Sequence, residues 1–311
     1  MANILTRANA QVLIPPEVSK EILDGVRKQS VAMALMKQLP NMSTSKREQP
    51  VLTMLPVADF VNGDSGMKVT TNAAWDKKTM VAGEIAAVVP VPQAVLDDSD
   101  YDLWGQIRPL IEEQFGRVFD RQVFTGGNPK APAEWPAALI SGAAAAGNVV
   151  TLGTGIDVAE DFNQLFAVLE QDSYSVTGVA AQERLKVLLR GLRNTQGDPI
   201  YQPVAGATPA SVYSVPTRFV PFGTWDAATA LALAGDWNNA VYAMRQDITI
   251  QKFDTGVISD DDGKVVYNLL QQDMIAVRAV MRLAWQVANP IDIDRQDTAR
   301  TYYPFAVLTN S

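Results

Sequence analysis

The 311-residue sequence contains no cysteine and no histidine. Without cysteine there are no disulfides, thiol nucleophiles, iron–sulfur clusters or thiolate zinc sites. Without histidine the chain lacks the usual general base near neutral pH and the commonest metal ligand. Ser-His-Asp triads and histidine metal sites are therefore excluded. An enzyme with this composition would have to use carboxylates, Lys, Tyr or bound Mg²⁺.

Charge and long apolar runs are also scarce. Charged residues make up 19% of the chain and hydrophobic residues 47%, which is typical of a globular protein. The net charge of −8 argues against sequence-independent nucleic-acid binding by the whole surface. No run approaches the ~18 apolar residues of a membrane span, and no signal peptide is predicted at the start. The length suggests roughly two domains.

The first part of the chain has the pattern of an arm followed by an extended excursion. Residues 1–15 are polar and irregular, and Pro16 begins a short amphipathic helix that carries Val18, Ile22 and Val26. Residues 43–85 contain short β-like runs on either side of a middle rich in Gly, Asn and Asp. This pattern predicts a long, two-stranded excursion. An isolated hairpin is marginally stable in water, so we expect this excursion to lie on its own body or on another chain.

A long helix and a long strand are predicted to match in length. The sequence Asp97-Asp98-Ser99-Asp100 has the residue types of a helix N-terminus, and Gly126-Gly127 ends the apolar period that follows. Pro109 predicts a kink or a break into two helices. Near the C-terminus, apolar residues alternate with Arg278, Arg282 and Gln286, which predicts a strand of about 14 residues. We infer an elongated domain with the helix along the sheet.

A compact insertion near 130–240 interrupts this elongated domain. Residues 128–156 are predicted to be loop, because they are rich in Pro, Gly and Ala. Helical periodicity then appears around residues 158–169 and again around residues 185–192. After a strand that begins near Val241, a turn is predicted through residues 256–263. An elongated domain with a compact insertion exposes much surface for a monomer and suits a subunit of a larger assembly.

Several motifs suggest chemistry that the rest of the sequence does not support. Gly63-Asp64-Ser65-Gly66 matches the nucleophile loop of trypsin-like proteases, but no histidine is present to act as base. Ser65 and Lys68 fit the S-x-x-K pattern of penicillin-recognising enzymes, whose S-D-N and K-T-G partners are absent. Gly153-Thr154-Gly155 is only a fragment of a phosphate-binding loop. No catalytic residue, cofactor or metal is predicted.

Three consecutive acids, Asp260, Asp261 and Asp262, precede Gly263. A calcium loop needs alternating ligands and a distant Glu, whereas neighbouring residues on an extended chain point in different directions. The favoured interpretation is an exposed turn between strands. An intersubunit salt bridge or a cation site is the alternative.

Several segments together form a recognisable series along the chain. They are residues 76–83, 85–91 and 95–99, the end of the long helix at 119–126, Gly235-Asp236-Trp237, and residues 268–287. Taken in order, these segments resemble the tailed-phage major capsid protein family, which has the HK-ninety-seven-type shell fold. The resemblance covers nearly the whole chain from Pro15. The W-V-x-E-G motif that is usual in the family's extended loop is absent.

The resemblance implies an α+β fold with four parts. Residues 1–43 would form an N-terminal arm with a short helix, and residues 44–85 an extended loop built as a β-hairpin. Residues 86–127 and 240–290 would form a peripheral domain, with a spine helix at 99–125 and a long strand at 274–288. Residues 128–239 and 291–311 would form an axial domain.

The resemblance also implies a function. It predicts a major capsid protein of a tailed double-stranded DNA phage, whose copies form pentamers and hexamers that close into an icosahedral shell. Separate scaffolding, portal and decoration proteins are possible partners, the enclosed DNA is not bound in a sequence-specific way, and no membrane is involved. The location implied is the virion capsid, assembled in the host cytoplasm. Candidate residues for intersubunit contacts are Lys68, Trp75, Lys77, Lys78, Asp260, Asp261 and Asp262; crosslinking through the lysines is not predicted.

Two alternatives remain open from the sequence. An encapsulin, which is a bacterial compartment around a protein cargo, would share the fold. A hydrolase that uses Ser65 and Lys68 would belong to a different class of protein.

Overall fold

The computed structural model describes residues 30–54, 60, 67, 74–93, 103–193, 196, 211–221, 223–225, 228–288 and 302–310. The predicted helix at Val18–Val26 and the predicted helix start at 97–100 lie outside these residues.

The described residues form five α-helices, which differ greatly in length. These helices are α1 (Val31–Leu35), α2 (Leu103–Phe124), α3 (Leu139–Ala145), α4 (Val158–Gln171) and α5 (Glu183–Gly191). None of the described helices is long and apolar enough to cross a membrane.

The strands form two larger sheets and two isolated pairs. The first sheet has the order β1-β10-β13-β4, and the second has the order β5-β14-β9-β6-β8-β7. Strands β2 and β3 pair only with each other, and so do β11 and β12. The bounds are β1 (Lys37–Gln38), β2 (Lys46–Met54), β3 (Ala74–Val81), β4 (Gly83–Pro92), β5 (Val149–Thr151), β6 (Gly178–Gln182), β7 (Ser211–Val212), β8 (Val215–Val220), β9 (Ala232–Gly235), β10 (Ala240–Phe253), β11 (Val257–Ser259), β12 (Val265–Asn268), β13 (Met274–Val287) and β14 (Phe305–Thr309).

The long strand predicted from alternation is confirmed as β13, which has 14 residues and pairs with β10 and β4. Its residues 279, 281, 283, 285 and 287 are buried in one core, while Arg278 on the other face is exposed. The apolar face of α2 packs in the same core, and the ring of Phe119 lies 6.5 Å from that of Tyr242 on β10. The helix of 22 residues is about 33 Å long. It therefore runs along the sheet as predicted.

The long helix is continuous and ends at Phe124, just before the two glycines that were predicted to stop it. Pro109 lies inside α2, so the break into two helices that was one of the predicted outcomes does not occur. Gly126 follows the helix with a φ of +72°, a left-handed conformation that glycine adopts without steric cost. Its N–H donates to the carbonyl of Arg121 at 3.1 Å, a carbonyl that also accepts from the N–H of Thr125 at 2.9 Å.

The central strands of the six-stranded sheet, β6, β9 and β14, are buried on both faces. On β6, Ala180 belongs to the core shared with α2, whereas Val179 and Ala181 face a second core beneath α4 and α5. Strands β9 and β14 alternate in the same way. Because side chains alternate between faces with a period of two, burial of both faces gives continuous apolar strands without polar alternation.

One core joins the two sheets through a group of aromatic side chains at the end of α2. The ring of Phe124 lies 4.7 Å from Trp225 and 6.2 Å from Trp237, and the ring of Trp237 lies 5.1 Å from Phe305 on β14. These edge-to-face contacts stabilise the packing beyond the area that they bury. The four-stranded sheet, α2 and the six-stranded sheet therefore share buried side chains.

Two of the sequence predictions are wrong in detail. Residues 128–156 were predicted to be loop, but they contain α3 and β5, and helix α3 is stabilised by burial of Leu139, Ile140 and Ala143. The segment 256–263 is more than a turn, because β11 and β12 form a short hairpin there. Short elements of this kind depend on tertiary contacts, which local periodicity does not report.

Candidate assembly surfaces

The two-stranded excursion is present, and its base is fixed on the rest of the subunit. We call strands β2 and β3 the extended hairpin; they pair antiparallel from Lys46 opposite Val81 to Met54 opposite Ala74. Met80 is fully buried in a small core with Met42, Val241, Ala243 and Ala284, on the back of the four-stranded sheet. The Gln286 side chain donates to the carbonyl of Thr79 at 3.1 Å.

Trp135 holds the point at which the extended hairpin joins β4. Its indole Nε1 donates to the carbonyl of Val81 at 2.7 Å. A Cβ added to Gly83 would lie 2.6 Å from Cζ2 of Trp135, so the ring packs directly on the backbone at this glycine. The loop that contains Trp135 therefore fixes the direction in which the hairpin leaves the subunit.

The candidate contact residues of the extended hairpin differ in what the structure describes. Lys77 is exposed, and its Nζ lies 2.9 Å from Oε1 of Glu48 on the opposite strand. Lys78 is exposed as well, and it pairs in register with Gln49. The backbone of Trp75 belongs to β3 opposite Leu52. Lys68 and Ser65 lie outside the described residues.

The three acids form the turn of the short hairpin, as the favoured interpretation predicted. Oδ1 of Asp260 accepts hydrogen bonds from the N–H groups of Asp262 at 3.2 Å and Lys264 at 2.8 Å. Oδ1 of Asp261 lies 2.7 Å from Nζ of Lys130, and the hydrogen bond with this lysine lowers the pKa of Asp261. Asp262 is exposed. Among the described residues, no group of acidic side chains is arranged to hold a metal ion.

Exposed apolar side chains surround this turn. Val257, Val265 and Val266 on the short hairpin are 59%, 52% and 47% exposed, and Leu270 just beyond it is 73% exposed. Tyr267 is also exposed. Val265 and Val266 are consecutive on β12, so apolar side chains are exposed on both faces of the short hairpin. Exposed apolar surface of this kind marks an interaction surface. We call these five residues the hairpin patch.

A buried contact between α1 and α2 was missed by the sequence analysis. Both oxygens of Asp120 are used, because Oδ1 accepts from the hydroxyl of Ser30 and the N–H of Ala32, and Oδ2 accepts from the N–H of Val31. Burial raises the pKa of Asp120 to about 7, although the hydrogen bonds from Ser30, Val31 and Ala32 act in the opposite direction. The only signal in the sequence was an acid between the apolar residues Phe119 and Val123.

The fragment of a phosphate-binding loop at 153–155 has a structural role, whereas Ser65 and Lys68 of the catalytic motifs lie outside the described residues. The N–H groups of Gly153 and Gly155 donate to the carboxylate of Asp161 at 2.9 and 2.7 Å, so the fragment of a phosphate loop is occupied by a side chain of the same subunit. Glu113 makes an ion pair with Arg117 one turn along α2. Neither arrangement brings together the groups that a reaction would need.

The chain is similar to known proteins in sequence and in structure. Residues 10–293 match the profile of the phage capsid family. The major capsid protein of Staphylococcus phage 80alpha is 25% identical over 295 residues, which cover 92% of this chain and 85% of that protein. A solved structure from Microbacterium phage Oxtober96 is 35% identical, covers 91% of each chain and superimposes with a TM-score of 0.77.

A more distant structure shares the fold. The capsid of a native GTA particle computed with C5 symmetry is 14% identical, covers 92% of this chain and 90% of its own, and has a TM-score of 0.63. The predicted HK-ninety-seven-type fold is confirmed, with its spine helix, its extended hairpin and its two packed sheets. The chain therefore belongs to the phage capsid family.

Proposed function

We propose that this chain is the major capsid protein of a tailed double-stranded DNA phage, and that its copies form pentamers and hexamers that close into an icosahedral shell. Membership of the phage capsid family supports the structural role. The fivefold symmetry of the related GTA capsid supports rings of copies, since it is a property of a protein with the same fold.

The observation that carries this proposal is the extended hairpin. The strand from Lys46 to Met54 is about 26 Å long, and its part from Gln49 to Met54, about 17 Å, lies beyond the anchored base. Its two strands pair only with each other in the described sheets. A two-stranded sheet is marginally stable in water, so the outer part needs support from another surface. A neighbouring copy supplies that support in a shell.

The same proposal assigns roles to the parts of the chain. Residues 86–127 and 240–290 act as the peripheral domain, and residues 128–239 and 291–311 as the axial domain. The extended hairpin, with Lys68, Trp75, Lys77 and Lys78, lies over a neighbouring copy, and residues 1–43 contact another. The hairpin patch and the turn at 260–262 meet other copies at local threefold positions. Many modest contacts of this kind add up in a closed shell.

Partners other than the chain itself follow from the role in the virion. Scaffolding, portal and decoration proteins are the expected classes, and the subunits assemble in the host cytoplasm. The net charge of −8 suits a container that does not hold its DNA tightly. The similarity to phage proteins favours a phage shell over an encapsulin compartment.

Removal of the outer part of the extended hairpin, which we call the outer hairpin (residues 50–77), tests the proposal. Residues 50–77 are replaced by Asn-Gly, which forms a tight turn between the paired residues Gln49 and Lys78 and leaves the anchored base intact. Light scattering after size-exclusion chromatography, with negative-stain microscopy, should show shells or rings for the unmodified chain. The shortened chain should remain a folded monomer, with the thermal unfolding midpoint nearly unchanged.

A matched control separates loss of assembly from loss of folding. Met80→Ala leaves the outer hairpin in place and creates a cavity at its base, so the unfolding midpoint should fall. Shells of normal size from the shortened chain would contradict the proposal. An unmodified chain that stays monomeric at all concentrations and salt conditions would also contradict it.

A further inference from the structure

One isoleucine outside the hairpin patch is completely exposed. Ile156 is 100% exposed in the loop between β5 and α4. This loop is fixed in place, because the N–H groups on either side of Thr154 are bound by buried Asp161, and the Thr154 hydroxyl donates to the carbonyl of Thr151 at 2.6 Å. Because the backbone of this loop is already ordered, binding through Ile156 costs little loop entropy.

Tyr213 lies beside this loop and is exposed to 57%. Its hydroxyl donates to the carbonyl of Ala159 at 3.0 Å, which places the ring near the start of α4, three residues after Ile156. Tyr213 and Ser214 have φ values of +50° and +66°. These two residues form the tight turn between β7 and β8, a turn type in which both central residues adopt a positive φ. We call Ile156 and Tyr213 the apolar knob.

The surroundings of the apolar knob are acidic. Asp157 caps α4 by accepting from the N–H of Glu160 at 3.0 Å, and helix α4 contains no Lys or Arg. Burial raises the pKa of Tyr213, and the negative charges of Asp157 and Glu160 raise it further. Both carboxylates are therefore close enough to the ring to contribute to the electrostatic potential of the knob.

Helix α5 has the complementary surface. Val187 is 61% exposed, and Arg184 and Arg190 are exposed three residues before and after it on the same side of the helix. Lys186 is fixed by an ion pair with Glu183 at 2.6 Å and by the ring of Phe219, 4.2 Å from its Nζ. An apolar residue with basic neighbours thus matches an apolar knob with acidic neighbours.

The two surfaces lie apart on one subunit. Tyr213 lies in the turn before β8, whereas Phe219, under α5, lies near the other end of this strand, about 13 Å along it from Val215. One subunit therefore cannot easily place its own knob on its own α5. Two different complementary patches produce a head-to-tail contact, and such contacts close into rings when the rotation between copies allows it.

We propose that the apolar knob of one copy docks on the Val187 side of α5 in the next copy of the same ring. This inference rests on the proposed function, because it needs copies that assemble. Arg184 and Arg190 of one copy then face Asp157 and Glu160 of the next. Complementary charge of this kind sets the orientation and the register of an interface.

The absence of cysteine allows a clean crosslinking test. The double variant Ile156→Cys/Val187→Cys places two exposed thiols in an otherwise cysteine-free chain. Assembled protein is oxidised, denatured and separated by non-reducing electrophoresis. We expect a ladder of covalent multimers from the double variant and none from either single variant. The control pair is Leu110→Cys/Val187→Cys, since Leu110 is 60% exposed on α2, and it should give no ladder.

Three results would overturn the inference. Normal shells without crosslinks above the control would reject the contact and leave the proposed function intact. Crosslinked dimers from Ile156→Cys alone would show a symmetric contact between two knobs instead of a head-to-tail contact. Failure of the unmodified chain to assemble under any condition would reject the proposed function and this inference together.

Discussion

The hydroxyl of Ser30 donates a 2.5 Å hydrogen bond to Oδ1 of Asp120, ninety residues further along the chain. The Ser30 oxygen also accepts from the N–H of Met33 at 3.1 Å, so it caps helix α1 and binds the spine helix at once. Residues 30–36 are thereby attached to the middle of the subunit.

The Asp120 carboxyl should make folding depend on pH. Its pKa rises from 3.8 to about 7 because the group is buried. Between these values the folded protein holds a proton that the unfolded chain releases, so the free energy of unfolding should fall as the pH rises through this window and then level off. The full effect is at most roughly 4 kcal/mol.

The variant Asp120→Asn isolates this contribution, since the amide does not titrate. It also loses one acceptor, so it should be less stable than the unmodified chain at every pH. Urea midpoints of dispersed subunits should differ most near pH 5 and least near pH 8. A difference that grows with pH would show that Asp120 is ionised in the folded protein.

Replacement of Trp135 should loosen the base of the extended hairpin. Trp135→Phe keeps a ring against Gly83 and removes the hydrogen bond from Nε1 to the carbonyl of Val81, which should cost about 1 kcal/mol. Hydrogen exchange should speed up locally at residues 79–83. As a control, Tyr267→Phe on the short hairpin should leave exchange at 79–83 unchanged. Equal acceleration throughout the subunit would contradict a local role.

Two glycines should respond in opposite directions to alanine. A Cβ at Gly235 would lie 2.2 Å from Cδ1 of Phe305 and 2.7 Å from the carbonyl oxygen of Pro304, so Gly235→Ala should lose several kcal/mol. Gly191 at the end of α5 has no heavy atom within 4 Å of the added Cβ. Gly191→Ala should be neutral or stabilise by up to about 1 kcal/mol. Thermal unfolding of both variants checks the pair, and destabilisation by Gly191→Ala would be unexpected.

A charge in the hairpin patch should block assembly without affecting folding. Val266 is 47% exposed on β12, so Val266→Asp should change the free energy of unfolding by less than about 0.5 kcal/mol. Light scattering should show a loss of large assemblies, because the new carboxylate would be buried between copies. Val266→Thr, which keeps the shape without the charge, should retain assembly. Normal shells from Val266→Asp would show that the hairpin patch is not covered by another copy.

Elements with a strong period could be predicted from the sequence. Strand β13 alternates over 14 residues, and helices α4 and α5 keep one apolar face, so each shows its burial in its own residues. The long helix α2 was predicted from its apolar period. Its continuity through Pro109 was not predicted, because packing along the rest of the helix outweighs the local effect of one proline. Helix α3 could not be predicted, because it depends on neighbours that are distant in sequence.

The assembly surfaces were predictable only in part. The composition of the sequence predicted the excursion at 44–85 and the turn at 260–262. The exposure of the apolar side chains of Val265 and Leu270, in contrast, is a property of the folded chain. The contact between Ser30 and Asp120 joins residues ninety positions apart. No local pattern reports such a pairing, since its partners meet only after α1 packs on α2.

The aromatic cluster of Phe124, Trp225, Trp237 and Phe305 has a mechanical consequence. Separation of the two sheets would bring these rings into water, whereas the outer hairpin and the exposed patches can shift with little buried area lost. Under mechanical load the subunit should therefore deform little in its packed core and more at its edges. Internal pressure on a shell would then deform the contacts between subunits first, where many weak interactions can re-form after they slip.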